Sequence, residues 1–156
     1  MRVNKATVFR ILWVTVLVLW CAYIFSNSLT SAVRSSEKSQ DVLASVDGFI
    51  KQHNGNLEIS HHLIRKAAHF IEFFVLGALL SLFPTVWNLS GKGYPFYTSF
   101  VGLVIALTDE TLQLFVKGRE SSVADVWLDF SAVIVAHLLY FLFVLLIKRL
   151  KHKKSL

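Results

Sequence analysis

The sequence predicts an all-α integral membrane protein. It is expected to be a four-transmembrane-helix bundle with N- and C-termini cytoplasmic and an outer loop able to carry an interfacial amphipathic helix. Three observations predict it. The 156 residues are 54% hydrophobic and only 17% charged, with a mean hydropathy of +0.56, too apolar for a soluble domain of this length. Apolar runs of spanning length recur at about 8–26, 63–83, 96–116 and 123–147, since about 20 helical residues cross a hydrocarbon core of about 30 Å. Basic residues gather at the ends of these runs, where they orient a membrane protein. A single domain over 1–156 accommodates all four.

Arg2, Lys5 and Arg10 precede the first run, whose stretch 11–25 is almost continuously apolar. A signal peptide begins the same way, but no small-x-small cleavage site follows at the expected distance, so a retained helix is expected. It carries no charge past Arg10 and is expected to pack outside its neighbours. Between 26 and 62 the chain is polar and mixed. Val42, Leu43, Val46, Phe49 and Ile50 follow helical spacing among Gln40, Asp41, Asp47 and Lys51, which fits a helix lying on the membrane surface; a partly ordered loop is the alternative. Asn54-Gly55 reads as a turn.

The second run ends at Pro84 and holds Arg65, Lys66, His69 and Glu72 in its first half. A link over 85–95 contains Gly91 and Gly93. The third run carries Asp109 and Glu110 in its second half, and a tight connection around Gly118 leads to the fourth, with Asp125 and Asp129 in its first half. With four spans, one side of the membrane carries Arg2, Lys5, Arg10, Lys92, Lys148, Arg149, Lys151, Lys153 and Lys154 without an acid. The other mixes its bases with Glu37, Asp41, Asp47, Glu58 and Glu120. The positive-inside bias therefore places both termini in the cytoplasm.

This explains the net charge of +6 without nucleic acid, which is excluded as a partner. A single cysteine, Cys21, rules out an internal disulfide and a cysteine-based zinc site. Asn88-Leu89-Ser90 matches a glycosylation acceptor but falls on the cytoplasmic side and is set aside.

In this orientation every charge within the last three runs falls in the outer half of the membrane. An Asp at the centre of a span costs roughly 2.5–3.5 kcal/mol on insertion scales, so such residues face partners, cavities or reactions. At 100° per residue, Arg65, His69 and Glu72 share a face within about 60°. Gly102, Ala106, Asp109, Glu110, Gln113 and Lys117 share another within about 100°, and Asp125, Asp129, Ala132 and Ala136 a third within about 60°. Small residues continue two of these faces inward, where they let helices approach closely. A polar pocket open to the outer surface is the simplest result.

His69 and Glu72, at i and i+3, suit general acid/base work or metal ligation; pairing with each other or with Arg65 is the plain alternative. Asp109 and Glu110 are adjacent, so one is expected to face the pocket while the other neutralises Lys117 or Arg119. Arg119, after Gly118, is placed for a phosphate headgroup, or else snorkels to the interface. Ser122-x-x-Asp125 also reads as a capping box for the fourth helix. His137 is a candidate for bonding across helices.

The run Arg65-Lys66-x-x-His69-x-x-Glu72-Phe73 resembles the RK-x-x-H-x-x-E-[YF] signature of the VanZ-like family. Asp109-Glu110-x-x-Gln113, followed by Gly118-Arg119 and Asp125-Val126, resembles its second block. Phe25-Ser26-Asn27-Ser28, with Ser35, Ser36 and Ser39, resembles its opening block. The resemblance covers roughly 24–136. Where the family often has Asn, this chain has Asp129, and the resemblance assigns that acid no role.

The resemblance implies a small multi-span protein of the bacterial cytoplasmic membrane, in a family whose founding member is associated with resistance to the glycopeptide teicoplanin. It supplies no reaction.

Two functions are expected from these readings. In the first, Arg65, Lys66, Gln113 and Arg119 hold an anionic or lipid-linked headgroup in the outer leaflet. His69, Glu72, Asp109, Glu110 and Asp125 then supply acid/base groups or ligate a divalent metal ion, for hydrolysis or transfer on a membrane lipid or lipid-linked envelope precursor. In the second, the polar faces are non-catalytic, and bind or screen the antibiotic or modulate another envelope enzyme. An oligomer is compatible with both.

Overall fold

The computed structural model describes residues 4–30, 61–91, 93–116, 118–119 and 121–154. The expected amphipathic segment at 42–50, the Asn54-Gly55 turn, Lys117 and Glu120 lie outside the described residues. The described residues form five α-helices and no strand: α1 Lys5–Ser28, α2 His61–Ser81, α3 Phe83–Trp87, α4 Tyr94–Gln113 and α5 Val123–Lys154. Three stretches, Lys5–Ser28, Leu63–Trp87 and Val123–Lys153, are long and apolar enough to cross a membrane. Helix α4 is 20 residues long, but Tyr94, Pro95, Thr98 and Ser99 at one end and Asp109 and Glu110 at the other dilute its apolarity.

Local chemistry fixes the helix ends. Asn4 caps α1, its Oδ1 accepting from the Ala6 N–H at 3.1 Å, which satisfies one of the orphan donors of a first turn. Pro84 stands in the first turn of α3, where its missing N–H costs nothing. Pro95 does the same for α4. The link expected at 85–95 therefore begins with a short helix, which ends at Asn88 in the left-handed region, φ 51°. Gly118, at φ 80°, sits where a side chain would be strained. At the far end α5 runs on through the basic tail to Lys154. Lys and Arg are good helix formers, and their charge suits the negative end of the helix dipole.

Packing centres on α2 and α5, the most extensive helix pair, with α4 against both. Phe73, Leu76 and Leu80 of α2, Ala106 of α4, and Val126, Ala132 and Val133 of α5 form the core with Ile24 of α1. Val133 occupies a notch between two glycines. A Cβ on Gly77 would stand 2.8 Å from the Val133 Cα and 2.9 Å from its carbonyl oxygen. A Cβ on Gly102 would stand 2.7 Å from Val133 Cγ1. Close approach through small residues is what drives helix association where lipid removes the hydrophobic incentive.

Helix α1 lies on the outside of this trio, as its lack of charge led us to expect, and Val8, Phe9, Ile11, Leu12, Val18 and Leu19 are exposed along it. Its N-terminal half is pinned all the same. Trp13 Nε1 donates to the Leu79 carbonyl at 3.2 Å, and Arg10 Nε to that of Val86 at 3.3 Å. The Trp13 ring meets Trp87 edge-on at 5.2 Å.

Gly77→Ala should lower stability by about 1–3 kcal/mol, because the new methyl meets backbone that cannot yield. Gly91→Ala, which meets only the Tyr94 ring at 3.1 Å, should stay within about 0.5 kcal/mol. Gly102→Ala meets a side chain instead, so combined with Val133→Ala it should cost less than the two separate losses added together. Thermal unfolding in detergent, followed by helical circular dichroism, checks all three.

Candidate functional site

The C-terminal end of α1, the N-terminal half of α2, the C-terminal half of α4 and the N-terminal half of α5 meet at one end of the bundle. The buried residues of α4 are Thr98, Gly102, Ala106, Asp109, Glu110 and Gln113, the face whose spacing marked it in the sequence. Asp109 and Asp129 are 0% and 1% exposed. A small cavity of about 20 Å³ is lined by Arg65, Lys66, His69, Glu110, Gln113, Asp125, Leu128 and Asp129. A larger cavity of about 810 Å³ runs along α4 and α5 toward the other end, among Phe96, Phe100, Phe130, Phe141 and others. Its lining contains no acid, so the carboxylates gather at the smaller one. In the lining of the larger cavity His137 bonds across helices through Nε2, which meets the Thr98 hydroxyl at 2.7 Å, while its Nδ1 donates to the Val133 carbonyl of its own helix at 2.8 Å.

Gln113 organises the acids of α4. Its Nε2 donates to Asp109 Oδ2 at 3.1 Å and to Glu110 Oε1 at 3.0 Å. The two carboxylates were expected to diverge, one to the pocket and one to a base. Both turn inward instead, because a residue at i+4 of one and i+3 of the other can catch both on one helix face.

Glu110 also reaches the next element. Its Oε2 accepts from the Ser122 backbone N–H at 3.1 Å. Ser122 caps α5, its Oγ accepting from the Ala124 N–H at 3.1 Å. The reciprocal arm of the capping box, which sequence spacing gave to Asp125, is therefore filled by Glu110 from α4. Asp125 is drawn elsewhere, its Oδ1 2.9 Å from Lys66 Nζ, which ties α5 to α2.

His69 sits between two acids. Its Nδ1 is 4.0 Å from Glu72 Oε2 and 4.0 Å from Asp109 Oδ2, too far for a direct hydrogen bond. An imidazole so placed can pass a proton to either acid once a ligand or water closes the gap. The ligand atoms of His69, Asp109 and Asp129 lie within 4.8 Å of one another, so among the described residues these three have the spacing to hold a metal.

Arg119 donates through Nη2 to the Asn27 carbonyl at 3.1 Å; its buried Nε and Nη1 have no acceptor among the described residues. Burial, then the Arg65 guanidinium, hold it below its ordinary pKa, while Asp109, Glu110 and Glu72 act the other way. Two guanidinium groups thus converge over a nest of carboxylates.

The expected residues thus come together from α2, α4 and α5 and the connection before α5. What the reading by faces missed is α1. Asn27 Nδ2 donates to Glu72 Oε1 at 2.7 Å, Trp20 Nε1 donates to the Glu72 carbonyl at 3.0 Å, and Ser28 is fully buried. The signal for Asn27 and Ser28 was their place in the opening block of the resemblance, whereas their helix carries no charge there to mark a face. Asp129, assigned no role from sequence, is the other addition.

Glu110→Ala should lower stability by about 1–3 kcal/mol, since it strands the Ser122 N–H and one Gln113 donor in a buried setting. Glu110→Gln keeps one acceptor and should cost less. Thermal unfolding of the two variants side by side makes the comparison.

The family model VanZ/LLP1 matches residues 13–145, most of the chain and all five helices in whole or in part. No curated protein and no solved structure matches the chain.

Proposed function

The chain belongs to the VanZ/LLP1 family, a cell-envelope membrane-protein family, and from that premise we propose that it binds an anionic or lipid-linked headgroup at the outer leaflet of the bacterial cytoplasmic membrane. In this reading α1, α2 with α3, α4 and α5 cross the membrane four times, with both termini in the cytoplasm. The basic tail of α5 anchors the inner side, and the polar end faces outward at headgroup depth.

The observation that carries the reading is Arg119. A half-buried guanidinium whose Nε and Nη1 lack an acceptor among the described residues calls for oxygen acceptors, and phosphate oxygens meet that geometry. Arg65, held near it, supplies a second charge of the same sign. The headgroup would then lie beside His69, where the imidazole and the Glu72 and Asp109 carboxylates can move a proton during hydrolysis or transfer. Protection against teicoplanin would follow from altering or occupying the lipid-linked precursor that the antibiotic recognises.

A non-catalytic reading has its own support. Glu110, Gln113, Lys66 and Asp125 are engaged in bonds between elements, as expected of a binding core that screens the antibiotic or modulates another envelope enzyme.

Arg119→Ala should reduce co-purified anionic or lipid-linked headgroups about tenfold or more, the loss expected for a charge-assisted pair, with membrane levels unchanged. Wild-type lipid content in that variant would overturn the headgroup reading. Lipid profiles that match between cells carrying active and Glu72→Gln protein, with teicoplanin protection intact, would favour the non-catalytic one. For orientation, a green fluorescent protein fused after Leu156 should fluoresce, and alkaline phosphatase fused there should be inactive.

A further inference from the structure

Asp129 poses a separate problem. It is 1% exposed, and among the described residues neither of its carboxylate oxygens has a hydrogen-bond partner. Of the bases that line the cavity beside it, Lys66 is taken by Asp125 at 2.9 Å. A buried carboxylate with nothing to accept from is costly unless something binds it.

We infer that His69, Asp109 and Asp129 form a binding site for one divalent transition-metal ion. Their ligand atoms lie within 4.8 Å of one another. A tetrahedral ion with bonds of about 2.1 Å needs donors about 3.4 Å apart, so the three have to draw in by up to about 1.4 Å, within the reach of side-chain torsions. Each comes from a different helix, α2, α4 and α5, and their convergence depends on the packed bundle. Gln113 Nε2 holds Asp109 Oδ2 from behind at 3.1 Å, the outer support that metal ligands require.

Charge and size agree. Two carboxylates and a neutral imidazole balance a divalent ion inside an apolar bundle. Glu72, Glu110 and Asp125 offset Arg65, Arg119 and Lys66, the bases that would otherwise repel a cation. The adjoining cavity, about 20 Å³, has room for about one water and excludes a fully hydrated ion. One imidazole nitrogen with carboxylate oxygens suits zinc or manganese better than calcium or magnesium, which take oxygen alone.

This inference does not depend on the headgroup reading, and its test uses no lipid. Wild-type protein in detergent, stripped with chelator, is titrated with Zn²⁺ and separately with Mn²⁺ by equilibrium dialysis. One equivalent should bind, and the ion should raise the unfolding temperature. Asp129→Asn should weaken binding about tenfold or more. It should keep its helical circular dichroism and, free of metal, unfold no earlier than metal-free wild type, because it removes an unpaired charge. Arg119→Gln, which removes one of the repelling bases, should bind the ion no more weakly than wild type does. In wild type, Co²⁺ should give the visible absorption of a nitrogen–oxygen site of low coordination number. No saturable binding at millimolar ion, or equal binding by wild type and Asp129→Asn, overturns the inference and leaves the headgroup reading of Arg119 standing.

Discussion

Carboxylates withdrawn from water have to be met by donors, and at this end of the bundle one side chain meets two of them. Gln113 donates to both Asp109 and Glu110. That frees the second oxygen of Glu110 to take the Ser122 backbone N–H, so an acid of α4 completes the cap of α5. Asp125 is released from capping and pairs with Lys66 on α2. One shared amide thus links three helices through a chain of bonds. Breaking it would leave polar groups stranded where the surroundings are apolar and an unmet bond is most expensive.

The depth of these bonds is set by apolar packing further along. Val133 sits in the notch made by Gly77 and Gly102, with clearances that leave no room for a methyl on either. That contact fixes how closely α5 approaches α2 and α4, and with it the separation of side chains above. A bond of 3 Å between helices tolerates little displacement, so the glycines act on the polar end although they do not touch it. Small residues below and polar residues above form one continuous face on α4 and on α5.

Helix α1 shows how a peripheral element can still shape a site. Most of its length is exposed apolar surface, in keeping with a helix that faces lipid. Its last turn is different: Asn27 holds Glu72 with its side chain and Arg119 with its carbonyl. It therefore sets the position of an acid on α2 and of the base in the connection before α5 at the same time. At the other end, Trp13 and the Phe83–Trp87 helix lock the same element against α2.

Much of this was legible in the sequence. Hydropathy and length gave an all-helical membrane protein, and the family followed from motifs whose residues recur at fixed spacing. Helical periodicity alone picked out the buried face of α4, because a period of 3.6 residues maps sequence directly onto one side of a helix. Partner choice was not legible. Nothing in the spacing of Asp109 and Glu110 says that both turn inward, and Ser122-x-x-Asp125 reads as a local capping box although the acid that closes it comes from α4. Nor does periodicity mark Asn27 and Ser28, which sit at the end of a helix without a polar stripe. Sequence by itself determined which residues share a helix face. Only the tertiary structure decided which of them meet, because that depends on the approach and rotation of packed helices, set by contacts such as Val133 between Gly77 and Gly102 far from the charges themselves.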